Sequence, residues 1–386
     1  MNYFHGRSCN KETLVLFSSK FGLSKAETEV LASFSEGLSL KDIAQSRYRS
    51  YTTVRNQFQS ILEKTDCSNQ ADLLRTLLGI SYLLSYTEII STEHKVELGK
   101  KIEVMRPHGR FVDVRLYGDL KGKPFIALHS LFGIPITEEI EQNLVSRSLL
   151  MIGVFRPGFG FTSKPHNKMD LFQCLAEDIT AVLDNISVEK CPFIGRASAA
   201  HAIFKLSQLI PHRISAACVV NSLIPLPYVT KNKILSKWTM SLVSATRYSP
   251  SLATLILSTG KKLMMRNGAK SFLKNMYEKS SSDQVITDDN NVVKSIHQGT
   301  LLCSEQGMAA AAQDMLDGFT DWSDDVRHSH LKVSLFQGKT DPHVSIVASR
   351  HFANDFPEKI ELIEYEGGGL LNYSHTDSIL DWITAN

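Results

Sequence analysis

The sequence predicts an α/β protein: a doubly wound, mostly parallel sheet with a long helical insertion, preceded by a small all-α unit. Three observations lead there. The first third reads as short amphipathic helices punctuated by capping residues. Beyond residue 105 come apolar runs of strand length, separated by helical stretches. A long helix-rich insertion then interrupts the strand–helix rhythm between about 225 and 330. At 386 residues, 43% hydrophobic and 21% charged, the chain has room for two domains.

In the first third, "LSKAETEVLASFSEG" places Ser24 as an N-cap, Glu27 at capping-box spacing and Gly37 as a helix stop. A second helix begins at Ser39 in "LSLKDIAQSRY". A third begins near Ser50 or Thr52 in "SYTTVRNQFQSILEK", with Val54, Phe58, Ile61 and Leu62 facing inward. The short connection between the last two has helix-turn-helix spacing. Residues 1–79 are assigned to this unit, and 80–104, where apolar sequence gives way to charged, to a linker or connecting helix.

The large unit, 105–386, opens with "RFVDVRLYG" and "PFIALHS" and continues through "LLMIGVFRPG", "CPFIGR", "ISAACVVNS", "LKVSLFQG" and "KIELIEYEG". Runs with little polar interruption suit strands buried on both faces, and the intervening "LFQCLAEDITAVLDNIS" and "AAHAIFKLSQLI" suit the covering helices. Within the insertion, "EKSSSDQVITDDNN" reads as a polar surface loop.

Charge and cysteine usage narrow the function classes. A formal net charge of +2 gives no global field for nucleic acid, so any such contact needs a local basic face. Cys9, Cys67, Cys174, Cys191, Cys218 and Cys303 are scattered and form no Cys-x-x-Cys pair, which favours free thiols and a cytoplasmic setting. The N-terminal residues lack a secretory signal pattern, and no apolar run reaches membrane-spanning length, so no membrane association is expected. Neither a cofactor nor a metal is expected.

Two resemblances rest on these residues. Leu23, Glu27, Glu29, Val30 and Leu31, then "GLSLKDIA", then Thr53 and Val54, then Lys64, make the N-terminal unit similar to the LuxR/GerE-type DNA-binding domain. That implies a third helix in the major groove of double-stranded operator DNA, with Arg55 and Gln57 toward base edges and Thr53, Asn56 and Lys64 toward phosphates. A homodimer on paired half-sites would double these contacts.

The large unit resembles the α/β-hydrolase family in the order of its landmarks. "FRPGFGFTSKP" is similar to an Asp-Arg-Pro-Gly loop, "IGRASAAH" to the Gly-x-Ser-x-Gly elbow, "QGKTDPHV" to the loop bearing the acid, and "YEGGGLLNYSH" to the loop bearing the base. The nucleophile position falls on Ala197 and the base position on Leu370; Asp341 alone keeps a triad-type group. Ser198 sits one place late, with its hydroxyl expected off the pocket axis, and His375 lies several residues past the base. The resemblance therefore implies a catalytically dead hydrolase domain. Its cavity, made more apolar by Ala and Leu, would bind an uncharged, partly apolar small molecule such as a quorum-sensing-like signal. The candidate ligand contacts are His129, Ser130, Leu131, Ala197, Ser198 and Leu370, with Trp238, Met240, Tyr248, Phe272, Met276 and Tyr277 from the helical insertion at about 225–330, which the resemblance implies is a lid over the cavity. The resulting expectation is a ligand-responsive transcriptional regulator. Two alternatives stand beside it: an active esterase or lactonase fused to a DNA-binding domain, and a ligand-independent regulator that uses the hydrolase domain as a dimerisation scaffold.

Overall fold

The computed structural model describes residues 11–65, 67–74, 77, 99–166, 169–231 and 250–386. The chain divides into two compact units, Met1–Glu97 and Leu98–Asn386.

In the first unit, α1 (Lys11–Lys20), α2 (Lys25–Ser35), α3 (Leu40–Ser46) and α4 (Tyr51–Thr65) enclose one small core. Local chemistry sets their starts. Ser24 and Glu27 form a reciprocal capping box on α2, and Ser39 with Asp42 forms the same device on α3. Gly37 ends the first of these helical segments at φ +92°, where a side chain would be strained. The Ser50 hydroxyl accepts the Thr53 N–H at 3.1 Å and so opens α4. Val30, Leu31, Ile43, Val54, Phe58 and Ile61 are buried at helical spacing and supply the packing that such short helices cannot do without.

The second unit is built on an eight-stranded mixed sheet in the order β1-β2-β4-β3-β5-β6-β7-β8. The strands are β1 (Lys100–Met105), β2 (Phe111–Gly118), β3 (Lys123–Leu128), β4 (Leu149–Val154), β5 (Cys191–Arg196), β6 (Ile214–Val220), β7 (Val333–Gly338) and β8 (Ile360–Tyr365). β2 runs antiparallel to both of its neighbours, β1 and β4, while the pairs β4–β3, β3–β5, β5–β6, β6–β7 and β7–β8 are parallel. Alternate residues feed two cores. Leu150, Ile152 and Val154 join Phe193 and the helices Leu171–Asn185, Ala199–Leu209 and Ile346–Asp355 on one face. Leu149 and Met151 join Ile194 and the helices Glu138–Ser146 and Thr376–Ala385 on the other. Every position of β4, β5 and β7 is buried, which is why those strands read as unbroken runs.

Two expectations change. The linker reading of 80–104 fails at its end, because Lys100–Met105 forms the edge strand β1, paired with β2 from Lys100 opposite Leu116 to Met105 opposite Phe111. Its burial is one-sided, with Val104 buried and its neighbours exposed, so the run looks charged in sequence. The stretch taken for a surface loop at 278–291 contains the helix Ser281–Ile286, and its Asp283 is fully buried. The Asp283 carboxylate accepts the Gly369 N–H at 2.7 Å and the Leu370 N–H at 3.0 Å, tying the insertion to the loop after β8. Between β6 and β7 the described insertion is otherwise helical, including Pro250–Asn267, Ala269–Met276, Asn290–Cys303 and Ala309–Gly318.

Candidate functional site

Strand β5 ends in a sharp turn into the helix Ala199–Leu209. Ala197 sits at its apex with φ +48°, a left-handed conformation that non-glycine residues rarely adopt. The small neighbours have a physical reason. A Cβ on Gly195 would meet Ile203 Cγ1 at 2.8 Å and Ala199 O at 3.3 Å. The turn is held by Ala197 N–H donating to Val220 O, while Ala197 O accepts from Ala200 and Leu223. A residue at this strained apex is where a nucleophile would stand, and here the half-buried side chain is a methyl group.

The loop after β7 presents Asp341, and both of its carboxylate oxygens are engaged. Oδ1 accepts the backbone N–H groups of His343 at 2.8 Å and Val344 at 3.2 Å. Oδ2 accepts Asn221 Nδ2 at 2.9 Å and Gln337 Nε2 at 3.0 Å. Asn221 also donates to Gly368 O and accepts from Leu371 N–H, so it clips together the loops that follow β6, β7 and β8.

The base position requires a correction. Leu370 is fully buried in a cluster with Leu273, Tyr277, Val292 and Ile296, and it does not line the cavity. The residue that faces Asp341 is Gly369: a Cβ placed there would lie 3.3 Å from Asp341 Oδ1 and 2.9 Å from Tyr277 Cε1. The glycine run at 367–369 hides this register in sequence, since any of its three members could align with the family's loop. Tyr277 of the lid occupies the space where a ring on residue 369 would go.

Above Ala197 lies a cavity of about 150 Å³. Ser130, Leu131, Ala197, Ser198, Phe272, Met276 and Tyr277 line it, as expected from sequence. Ser198 borders the cavity although its hydroxyl was expected to turn away; with φ −64° it begins the helix rather than occupying the apex. His129 is not a ligand contact. It is fully buried beneath the site, with Nδ1 at 2.9 Å from Ser130 O and Nε2 accepting Arg156 N–H at 3.0 Å. Burial, reinforced by the Arg156 charge, depresses it to about 3, so the ring is neutral. His375 pairs with Ser374 Oγ at 2.9 Å and borders a different, polar surface cleft. Trp238, Met240 and Tyr248 lie outside the described residues.

The lining residues missed include the polar Arg196, Asn221, Lys261, Thr300 and His343, together with apolar side chains such as Leu257, Met264 and Phe319. Only Arg196 left a signal, a lone charge ending an apolar strand.

On the N-terminal unit, Thr53, Arg55 and Asn56 are exposed along α4 and Gln57 is half-buried. Lys64 is not free to meet phosphate. Its Nζ lies 2.7 and 2.9 Å from the two Glu27 oxygens and 3.3 Å from Gly22 O.

No family model matches the chain. An uncharacterized hydrolase of Saccharomyces cerevisiae is 33% identical over 106 residues, 26% of this chain and 35% of that protein. The match thus spans about a third of the relative's length. Among solved structures, an esterase from Exiguobacterium antarcticum aligns with a TM-score of 0.51 at 15% identity, covering 74% of this chain and 99% of that one. A meta-cleavage product hydrolase from Pseudomonas fluorescens gives 0.52 at 15% identity, with 75% and 98% covered. The large unit has the α/β-hydrolase fold. At such identities the fold is what is shared, and these likenesses do not identify the N-terminal helices.

Among the described residues, no helix is long and apolar enough to cross a membrane, and no group of three His, Cys, Asp or Glu side chains is placed to hold a metal.

Proposed function

We propose that the protein is a ligand-responsive, DNA-binding transcriptional regulator whose hydrolase-fold unit binds a small molecule without cleaving it. The observation that carries this reading is the pairing of Ala197 at the elbow apex with Gly369 facing Asp341. Nucleophilic acyl transfer needs a nucleophile, a base within hydrogen-bond reach and an acid to orient that base. Here the first two positions carry no functional group, yet the cavity above them stays open and mostly apolar.

Ligand would act by favouring one of two states of the protein, which requires different affinity for each. DNA contact would come from the exposed Thr53, Arg55 and Asn56 on α4, presented twice by a homodimer. Among the described residues Arg55 forms no ion pair that would compete with a base. The test is selection of binding sequences from a random DNA pool by the full-length protein. A motif should be enriched and then lost in Arg55→Ala, a contact worth ~1–3 kcal/mol per half-site. Enrichment of nothing, or a motif that Arg55→Ala binds equally well, contradicts the reading.

The likeness to hydrolases and esterases favours a second reading, an active hydrolase with a displaced site. Its candidates are Ser198 and His343, which both line the cavity; His343 Nε2 has no partner among the described residues. No hydrogen bond joins the two side chains there, and the His343 ring instead packs edge-on against Tyr277 at 5.1 Å.

A further inference from the structure

Arg196 closes strand β5 one residue before the elbow. It is 4% exposed, it lines the cavity, and its Nε and Nη1 have no hydrogen-bond partner among the described residues. No carboxylate of the described residues comes within ion-pairing distance of it, whereas Arg110, equally buried, is clamped by Asp178 at 2.8 Å. A guanidinium stays protonated at any pH the protein meets, so Arg196 is a desolvated charge without a counter-charge. Natural folds rarely leave such a group idle.

Neighbouring groups do not neutralise it. Among the described residues Asp341 is the sole acid lining the cavity, and the four N–H donors its two oxygens accept come from Asn221, Gln337, His343 and Val344, none from Arg196. A smaller adjoining cavity of about 40 Å³ exposes Arg196 to Asn372, whose Oδ1 is also unpartnered; that offers a neutral acceptor and no charge. The other basic groups lining the main cavity add to the imbalance. Among the described residues Lys261 hydrogen-bonds Ser304 O, at 3.5 Å, and desolvation, partly opposed by the Glu305 charge, lowers its affinity for a proton. The rest of the wall includes Leu257, Met264, Met308, Met315, Phe272 and Phe319.

We propose that the cavity's ligand is an apolar carboxylate, its head held by the Arg196 guanidinium and its body lying among the methionine and phenylalanine side chains. This rests on reading the cavity as a binding site and departs from the uncharged ligand that the sequence suggested. The planar fork of N–H donors matches the two oxygens of a carboxylate, so the pair supplies geometry as well as charge. The Met side chains adapt to a body of irregular shape.

The experiment compares acids with their neutral amides on the full-length protein. Calorimetric titration and thermal melting are run with sodium hexanoate, octanoate and phenylacetate, and with hexanamide, octanamide and phenylacetamide. Acids should bind at least about tenfold more tightly than the matched amides, as charge-assisted hydrogen bonds imply. Arg196→Gln should erase that preference by weakening acid binding far more than amide binding, and Arg196→Met provides a second variant should the first fold poorly. Amides that bind wild type as tightly as acids do, or an acid preference that survives in both variants, overturn the carboxylate inference and leave the binding cavity standing. If neither acids nor amides bind, both fall.

Discussion

Replacing Lys64 by alanine should destabilise the N-terminal unit rather than weaken its grip on phosphate. Glu27 is 6% exposed, and burial alone would raise its pKa. Hydrogen bonds from Lys64, Ser60 and Ser24 overcome that and hold the carboxyl at about 2, against an ordinary 4.5. At about 1.4 kcal/mol per tenfold change in proton affinity, the depression corresponds to about 3 kcal/mol of folding stability. Lys64's side chain is 38% exposed, and solvent screening of its share reduces the loss expected from Lys64→Ala to about 2 kcal/mol. The appropriate assay is amide hydrogen exchange on full-length protein, followed by mass spectrometry of peptides spanning α2 and α4. Protection there should fall roughly thirtyfold. Because the folded carboxyl has the lower pKa, its contribution is complete above the unfolded value near 4.5 and fades as pH falls toward 2. Wild type and Lys64→Ala should therefore converge at acid pH. Unchanged protection at neutral pH, together with a shallower salt dependence of DNA binding, would refute the argument and return Lys64 to the phosphate-facing role read from sequence.

The register of the base loop and its tether can be tested directly. Ala197→Ser combined with Gly369→His and Tyr277→Ala, the last to clear the 2.9 Å overlap, should give p-nitrophenyl butyrate hydrolysis above background. The same combination carrying Leu370→His in place of Gly369→His should not. Asp283→Ala strips the acceptor from two buried N–H groups, at roughly 1–3 kcal/mol each. Calorimetric melting of the large unit should fall by about 2–4 °C per kcal/mol lost, and an unaltered melting temperature would show that the tether does not contribute.

Much of the fold was legible because its signals are local. Capping at Ser24 and Ser39, and the fully buried runs of β4, β5 and β7, follow from residue type and spacing. Edge strand β1 was illegible because one-sided burial leaves only Ile102, Val104 and the exposed Met105 as apolar marks beside Lys100, Lys101 and Glu103. The elbow was legible in its small residues at 195, 197 and 199, of which Gly195 has a local reason: a Cβ there would meet Ile203 and the Ala199 backbone. The base position was not, because three consecutive glycines carry no register, and the direction of a missing Cβ exists only in three dimensions. Lys64 and Asp283 were misread for a shared reason. Each looks like a surface charge until its partner, Glu27 or the backbone of 369–370, arrives from elsewhere in the chain.

The central claim is a hydrolase fold that holds a ligand without cutting it, and steady-state hydrolysis by the purified full-length protein tests it most directly. With p-nitrophenyl acetate and butyrate, release of nitrophenolate should match buffer alone, and neither Ser198→Ala nor His343→Ala should alter it. Sustained turnover that disappears in Ser198→Ala would contradict the account and establish Ser198 as a displaced nucleophile.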